Sequence, residues 1–310
     1  LLNIDKQLSL AGIEVNTPLQ SSGVATKSPS PQLHIVLQLM LQKPNTDLLK
    51  KAAQITQSLS SHRMTKFAHD NIVPKSESNL SKKQQVAEMF NDIAFRYDFL
   101  NRFLSVGIDV QWRKKAIQQL ADLKPQYVLD VATGTADVAL LTHKILKPKK
   151  IIGIDISEGM LDFGRKKIAE QGLQQTIELQ TGDSENIGFE NNTFDAITVA
   201  FGVRNFQDLE KGLKEMLRVL KPGGKLVILE FSKPKQTAFK GVYKLYMNTI
   251  APGFGKMFAK NKEAYQYLNG SIQAFPEGQS LLNIMHEAGF TQTYLKTLTL
   301  GICTIYCGSK

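Results

Sequence analysis

Three aspartates stand where a nucleoside could be held. Asp130 closes the apolar run 127–132 (YVLDVA) and leads into the turn Thr133-Gly134-Thr135-Ala136-Asp137. Asp155 ends the run Gly153-Ile154-Asp155-Ile156, and Asp183 follows the run 176–180 within Thr181-Gly182-Asp183-Ser184-Glu185. Ligands of open α/β sheets bind beyond the carboxyl ends of the strands, at such turns. Gly134 has no Cβ and lets backbone come close to a ligand. A carboxylate at 155 can accept hydrogen bonds from both hydroxyls of a ribose. Asp183 can accept from the exocyclic amine of adenine, with the backbone N–H of Ser184 on the ring. Asp-Ser is also a good turn former, but its place as third in the series favours the binding reading. A dinucleotide site would ask for G-x-G-x-x-G at the first turn. Ala132, Gly134 and Ala136 stand there instead, so no phosphate cradle is specified.

A fourth constellation, Ala200-Phe201-Gly202-Val203-Arg204-Asn205, follows the apolar run 194–200 (FDAITVA). Arg204 and Asn205 could hold a substrate oxygen there. The competing reading for Arg204 is a structural salt bridge.

The elements that must position these residues alternate along the chain. Val86, Met89, Phe90, Ile93 and Tyr97 recur at helical steps, and a second helix is expected over 111–120. Strands at 127–132, 151–156, 176–180, 194–200 and 225–231 alternate with helices at 137–146, 159–171 and 208–220. The last helix ends at Lys221-Pro222-Gly223-Gly224. The tail reads as helix 278–289, strand 291–298 and strand 301–308. Repeated β-α units with apolar strands imply a mostly parallel α/β sheet covered by helices on both faces.

Residues 1–80 differ from the rest. They are rich in Ser, Gln, Lys and Thr, carry prolines at 18, 29, 31, 44 and 74, and hold one aromatic residue, Phe67. Such a segment buries little apolar area and is expected to be poorly ordered, with one short amphipathic helix within 33–59. Residues 1–63 are expected to be a non-native or processed extension, with Met64 as the natural start. The domain proper is placed at 81–310, with a basic helical insertion at 233–277. Residues 233–262 hold seven lysines and no acidic residue, and Phe239, Val242, Tyr243, Tyr246, Met247 and Ile250 fall at helical spacing. A basic amphipathic helix fits contact with anionic lipid; a helical lid with solvated lysines fits equally.

Of 310 residues, 42% are hydrophobic and 21% charged, with a net charge of +10. That charge favours anionic partners or serves solubility. Cys303 and Cys307 lack a zinc spacing and read as reduced core thiols. No metal site is expected. No apolar run approaches the ~18 residues that span a bilayer.

Two stretches carry a specific resemblance. The run 218–232 (RVLKPGGKLVILEFS) resembles one signature of the ubiquinone/menaquinone biosynthesis C-methyltransferase family. Tyr97-Asp98-Phe99-Leu100-Asn101 through Leu104-Ser105 to Trp112-Arg113 resembles the other. Leu100 stands where Met is common, a volume-conserving change. Asp109 stands where His is common, so no catalytic histidine is assigned. Phe201 to Asn205, and Tyr265-x-Tyr267-Leu268 through Ser271-Ile272 to Phe275-Pro276, are also similar to the family. The resemblance runs from about residue 82 to 310.

What the resemblance implies is a class I methyltransferase: a Rossmann-like, mostly parallel seven-stranded sheet that binds S-adenosylmethionine. Its implied cofactor contacts are Thr135, Asp155, Asp183 and Ser184, with Ala200 where the family usually has Ser; Asp130 and Gly134 of the first turn are counted with them as cofactor-binding residues. The end of the fourth strand would face the methyl group, with Arg204 as first candidate for stabilising a phenolate, and Asn205, Tyr97 and Asp98 behind it. The implied reaction is C-methylation of a polyprenylated quinol, demethylmenaquinol first and the benzoquinol of ubiquinone synthesis second. Other lipid or RNA acceptors and a nicotinamide-dependent oxidoreductase rank lower. The implied setting is the cytoplasm, peripheral on the inner face of the membrane, without nucleic acid; a homodimer is compatible with the sequence.

Overall fold

The computed structural model describes residues 67–105, 107–233 and 262–310. These belong to one unit, Thr65–Lys310. The expectations for residues 1–63, the helix within 33–59 and the apolar–basic helix within 233–262 fall outside the described residues, apart from Lys233 and Lys262.

Among the described residues, seven strands form one sheet. They are β1 (Tyr127–Val131), β2 (Lys150–Asp155), β3 (Ile177–Thr181), β4 (Phe194–Ala200), β5 (Leu220–Phe231), β6 (Thr291–Leu298) and β7 (Cys303–Ser309). Their order is β3-β2-β1-β4-β5-β7-β6. β1 to β5 are parallel, and β7 runs antiparallel between β5 and β6. The strand order runs outward one way from β1 through β2 to β3 and the other way through β4 to β5, so β1 and β4 flank the switch point where such sheets bind ligands.

The helices are α1 (Lys82–Leu104), α2 (Asp109–Ile117), α3 (Asp137–Leu146), α4 (Glu158–Glu170), α5 (Leu209–Val219), α6 (Lys262–Ala274) and α7 (Gln279–Glu287). Strand residues alternate between two apolar layers. Leu129, Ile197, Leu226 and Ile228 pack with Leu213 and Met216 of α5 and Met285 of α7. Val128, Ile151, Ala196 and Val227 pack with Trp112 of α2, Ala139 of α3 and Leu161 of α4. Each large apolar side chain so buried contributes ~1.5–3 kcal/mol. Two helices begin on side-chain caps: Ser157 accepts from the Met160 N–H before α4, and Asp208 from the Lys211 N–H before α5.

The structure departs from the sequence reading in two places. Lys221-Pro222-Gly223-Gly224 does not precede β5 but lies inside it, as a bulge between the Phe194–Leu220 and Ala196–Lys225 pairs. Gly223 takes φ +77°, and a Cβ on Gly224 would lie 2.8 Å from the Asp195 carbonyl, so the bulge needs glycine. Residues 67–80 are not loose throughout. A 3-10 turn, Ala68–Asn71, buries His69 completely between Phe67 and Phe275. Burial, then the nearby Lys82 charge, pushes the His69 imidazole down to about 3, so it packs as a neutral ring. Asp109, where the family commonly has His, is 3% exposed, accepts from Ser105 Oγ at 2.7 Å, and pairs with Arg102 and Arg113. Cys303 and Cys307 are free and buried in β7. No described helix is long and apolar enough to cross a membrane.

Candidate active site

The carboxyl ends of β1, β2 and β4, the turn after β3, and the inner face of α1 enclose one cavity. Its wall includes Ala132, Gly134, Asp155, Asp183, Ser184 and Ala200 from the sheet side, with Asn205 beyond β4. Lys83, Phe90 and Tyr97 face it from α1 at seven-residue steps, one stripe of a helix.

Backbone strain concentrates here. Ala132, Ala136 and Phe201 hold φ of +53°, +65° and +58°, in the left-handed region that costs non-glycine residues about 1–2 kcal/mol each. Gly134 shares that region at +55°. The first turn is therefore a tight reversal kept by the sheet, as strained segments at binding sites often are. Gly202 lets the end of β4 approach β1; a Cβ there would come within 2.6 Å of the Ala132 Cβ.

Asp155 ends β2 with Oδ2 accepting from the Gly134 N–H and Oδ1 from the Ser157 N–H, each at 2.9 Å. Burial raises its pKa, and these backbone bonds oppose the rise. Each oxygen keeps a further lone pair for a ligand. Asp183 accepts from Lys83 Nζ at 2.6 Å on Oδ2 and from the Glu185 N–H at 2.9 Å on Oδ1. Glu185 is 3% exposed; it takes the Gln207 and Asp208 N–H groups on one oxygen and Lys83 on the other. The paired acids raise the Lys83 pKa against the opposing effect of burial.

Four expected site residues are not on the cavity wall. Asp130 is 1% exposed, its carboxylate held by the hydroxyls of Thr133 and Thr198 at 2.6 Å each. Burial pushes it up to about 6. It pins the first turn to β4. Thr135 is buried and donates to Asp98 Oδ1 at 2.5 Å. Asp98 also accepts from Lys167 at 2.8 Å, which ties α1 to α4. Arg204, expected to face a phenolate, is 4% exposed and lies behind the wall. Its Nη1 donates to Glu230 at 2.7 Å and to the Phe201 carbonyl at 2.5 Å. The ion-pair reading is the geometry found. Arg204 Nε and Glu230 Oε2 are buried with no hydrogen-bond partner.

Asn205 is on the wall. Its Nδ2 lies 3.5 Å from the Phe201 carbonyl, and its Oδ1 accepts from the Tyr267 hydroxyl at 3.1 Å. A carbonyl can only accept, so it sets the amide's orientation and leaves Oδ1 to the tyrosine. Burial raises the Tyr267 pKa far above the usual phenol range, so that hydroxyl stays protonated.

Sequence reasoning passed over Lys83, Met160, Glu185 and Gln207. The seven-residue step from Lys83 through Phe90 to Tyr97 was a readable signal. Met160 carried none, because its contact with Gly134 crosses from α4 to the β1 turn.

The donor and acceptor set fits an adenosine-bearing cofactor. Two strand-end carboxylates offer acceptors to a diol and an amine, small residues clear the approach, and Phe90, Ile156 and Phe206 supply apolar wall. The model described as the ubiE/COQ5 methyltransferase family matches residues 78–310. A demethylmenaquinone methyltransferase of Bacteroides fragilis is 46% identical over 244 residues, 79% of this chain and 99% of that one. The ubiquinone/menaquinone biosynthesis C-methyltransferase UbiE of Geobacter sulfurreducens is 45% identical over 230 residues, 74% of this chain and 90% of that one. A solved SAM-dependent methyltransferase of Thermotoga maritima superposes at a TM-score of 0.50 with 21% identity, over 72% of this chain and 99% of that one. At that identity the likeness bears on the fold alone.

Proposed function

The chain belongs to the ubiE/COQ5 methyltransferase family and is an S-adenosylmethionine-dependent enzyme, and on that premise we propose that it C-methylates the ring of demethylmenaquinol. The observation that carries this reading is the single cavity that joins the strand-end carboxylates Asp155 and Asp183 to Asn205 and Tyr97.

In this reading Asp155 holds the ribose diol, Asp183 and Ser184 hold the adenine edge, and the Gly134 and Ala200 backbone shapes the methionine end. S-adenosylmethionine supplies an already electrophilic methyl group. The protein's task is then to align a ring carbon and favour the phenolate beside it. Alignment contributes ~7–11 kcal/mol in favourable cases. Asn205 Nδ2 donates to the quinol oxygen, with its amide held by Tyr267 and the Phe201 carbonyl. Tyr97 positions the ring from α1. Arg204 acts from behind the wall: paired with Glu230, it braces the Phe201 carbonyl that in turn holds the Asn205 amide. Asp98 and Thr135 lock α1 against the first turn, and Asp130 locks that turn to β4.

The benzoquinol of ubiquinone synthesis is the second acceptor, because the Geobacter relative's name carries both quinones. We also propose a cytoplasmic setting against the inner face of the membrane, where a polyprenyl-tailed acceptor would reside, and no nucleic-acid partner. The test is methyl transfer by the purified full chain from labelled S-adenosylmethionine to reduced demethylmenaquinone in detergent, with a reduced demethyl benzoquinone in parallel. Label in the naphthoquinol alone supports the reading. Label in both makes the enzyme serve two pathways. Label in neither, with S-adenosylmethionine bound, sinks the quinol assignment.

A further inference from the structure

α1 presents two unlike faces. Lys83, Phe90 and Tyr97 line the cavity. Phe95 and Phe99 project roughly half a turn away, at 3.6 residues per turn, and are 62% and 58% exposed. Burying such rings in protein or lipid is worth ~1.5–3 kcal/mol each, so two rings this exposed, one turn apart, form an apolar patch that needs a reason.

The patch extends beyond α1. Asn91 accepts from the Gly159 N–H at 2.9 Å, and Asp98 accepts from Lys167 at 2.8 Å. Those two contacts run α1 alongside α4 and put Phe163, 36% exposed, level with Phe95. Ile108, 40% exposed, lies just before α2, close beyond the end of α1. Four of the seven large apolar residues exposed among the described residues are therefore on or beside the C-terminal half of this one helix.

Cations decorate the rings. The Arg96 guanidinium lies 4.7 Å from the Phe95 centroid, and the Lys166 ammonium 5.3 Å from that of Phe163. Nearby acids are engaged: Asp162 pairs with Arg165, and Asp98 with Lys167. Glu88 and Asp92 are exposed on the same side of α1, Asp92 one turn before Arg96, and bound the patch at its N-terminal edge. Aromatic rings flanked by Arg and Lys suit the headgroup layer of an anionic bilayer, where the ring is buried and the cation meets phosphate. The core of a protein interface, by contrast, is depleted in Lys. The chain's net charge of +10 adds attraction at longer range.

We propose that the outer face of the C-terminal half of α1, with Phe163 and Ile108, docks this protein on an anionic lipid bilayer. The inference deepens the quinol reading, since it sets the bilayer against the helix that walls the cavity. Its test requires no catalysis, so the two fail separately.

The experiment is sedimentation of the full chain with phosphatidylcholine vesicles containing phosphatidylglycerol, and with vesicles of phosphatidylcholine alone. The wild type is expected to sediment with the anionic vesicles. The exposed-site variant F95S/F99S is expected to lose roughly tenfold or more of its partitioning. R96E/K166E, the second variant should the first not fold, is expected to lose roughly fivefold per reversed cation on anionic vesicles only. Unchanged S-adenosylhomocysteine binding verifies the fold of both variants. No sedimentation of the wild type, or sedimentation undiminished in both folded variants, overturns the proposal. So does a dimer by light scattering that F95S/F99S converts to monomer, because a second copy would then own the face.

Discussion

Arg204 and Glu230 form an ion pair that the two partners cannot abandon on equal terms. Both side chains are nearly inaccessible, 5% and 1% exposed. Removing one partner of such a pair ordinarily costs about 3–5 kcal/mol. In Arg204→Met the stranded Glu230 has an escape, because it can take up a proton. Its ordinary value is 4.5 and burial already raises it. Neutralising it at pH 7 costs about 3 kcal/mol, and that sets a ceiling. In Glu230→Gln the stranded guanidinium has no such escape, since it stays charged throughout the accessible range. The folded R204M chain then holds a proton that the unfolded chain lacks, so its stability falls as pH rises above about 4.5, by ~1.4 kcal/mol per unit. Its deficit relative to wild type shrinks toward pH 5, while that of E230Q does not. Urea denaturation of both variants from pH 5 to 8 reads this directly. A pH-independent R204M deficit, or one larger than that of E230Q at pH 7, refutes the reasoning. R204M/E230Q strands neither charge and keeps an oxygen for the Phe231 N–H. It is expected to recover most of the stability and none of the methyl transfer. Wild-type turnover by the double variant would reduce Arg204 to a purely structural part.

Asp155→Asn removes the charge that would receive two ribose hydroxyls, and is expected to weaken S-adenosylmethionine binding roughly a hundredfold by calorimetry. Binding within threefold of wild type would remove Asp155 from the cofactor site. Tyr267→Phe deletes the hydroxyl on Asn205 and is expected to lower kcat roughly three- to tenfold with cofactor affinity unchanged. A fall in cofactor affinity with kcat intact would mean that Tyr267 supports the fold instead. Asp130 is pushed from 3.8 to about 6 in the folded chain. The folded state therefore binds the extra proton, and this group's contribution is present below pH 3.8 and lost as pH rises through about 6. In Asp130→Asn that loss, about 3 kcal/mol, disappears. A wild-type-minus-D130N stability difference that is flat from pH 4 to 7 would show that the carboxylate does not titrate so.

The central strands were legible because β1, β2, β4 and β5 are apolar on both faces, and a run such as FDAITVA has few other places to go. β4 falls at 194–200 in both readings. The bulge inside β5 was not legible, since Lys-Pro-Gly-Gly is as good a helix stop as it is a bulge. The acids at 130, 155 and 183 were found by their place at strand ends, but their roles divide on a matter of partners. Thr198 lies 68 residues from Asp130 and claims its carboxylate, and no local pattern announces that. Arg204 is the same case, with Glu230 lying 26 residues ahead and one strand over. Residue type and spacing located the cavity; long-range pairing decided which side chains face it.

α1 precedes the sheet in the chain yet completes the site that the sheet begins. Lys83 bridges to Asp183 and Glu185, Asn91 to the start of α4, and Asp98 to Thr135 and Lys167. These polar ties, with Val86 and Ala94 buried beside them, seat α1 on the surface of the sheet layers, whereas β1 and β4 are zipped into the centre of the sheet. Occupancy of the cavity and seating of the helix are thus linked equilibria. Whatever free energy a ligand gains from Tyr97 and Phe90 is also free energy holding the helix down, and the coupling is reciprocal. A bilayer that grips the helix from outside would then be felt inside as a change in apparent ligand affinity. One helix, with an aromatic stripe on each side, would let the enzyme sense where it is before it acts.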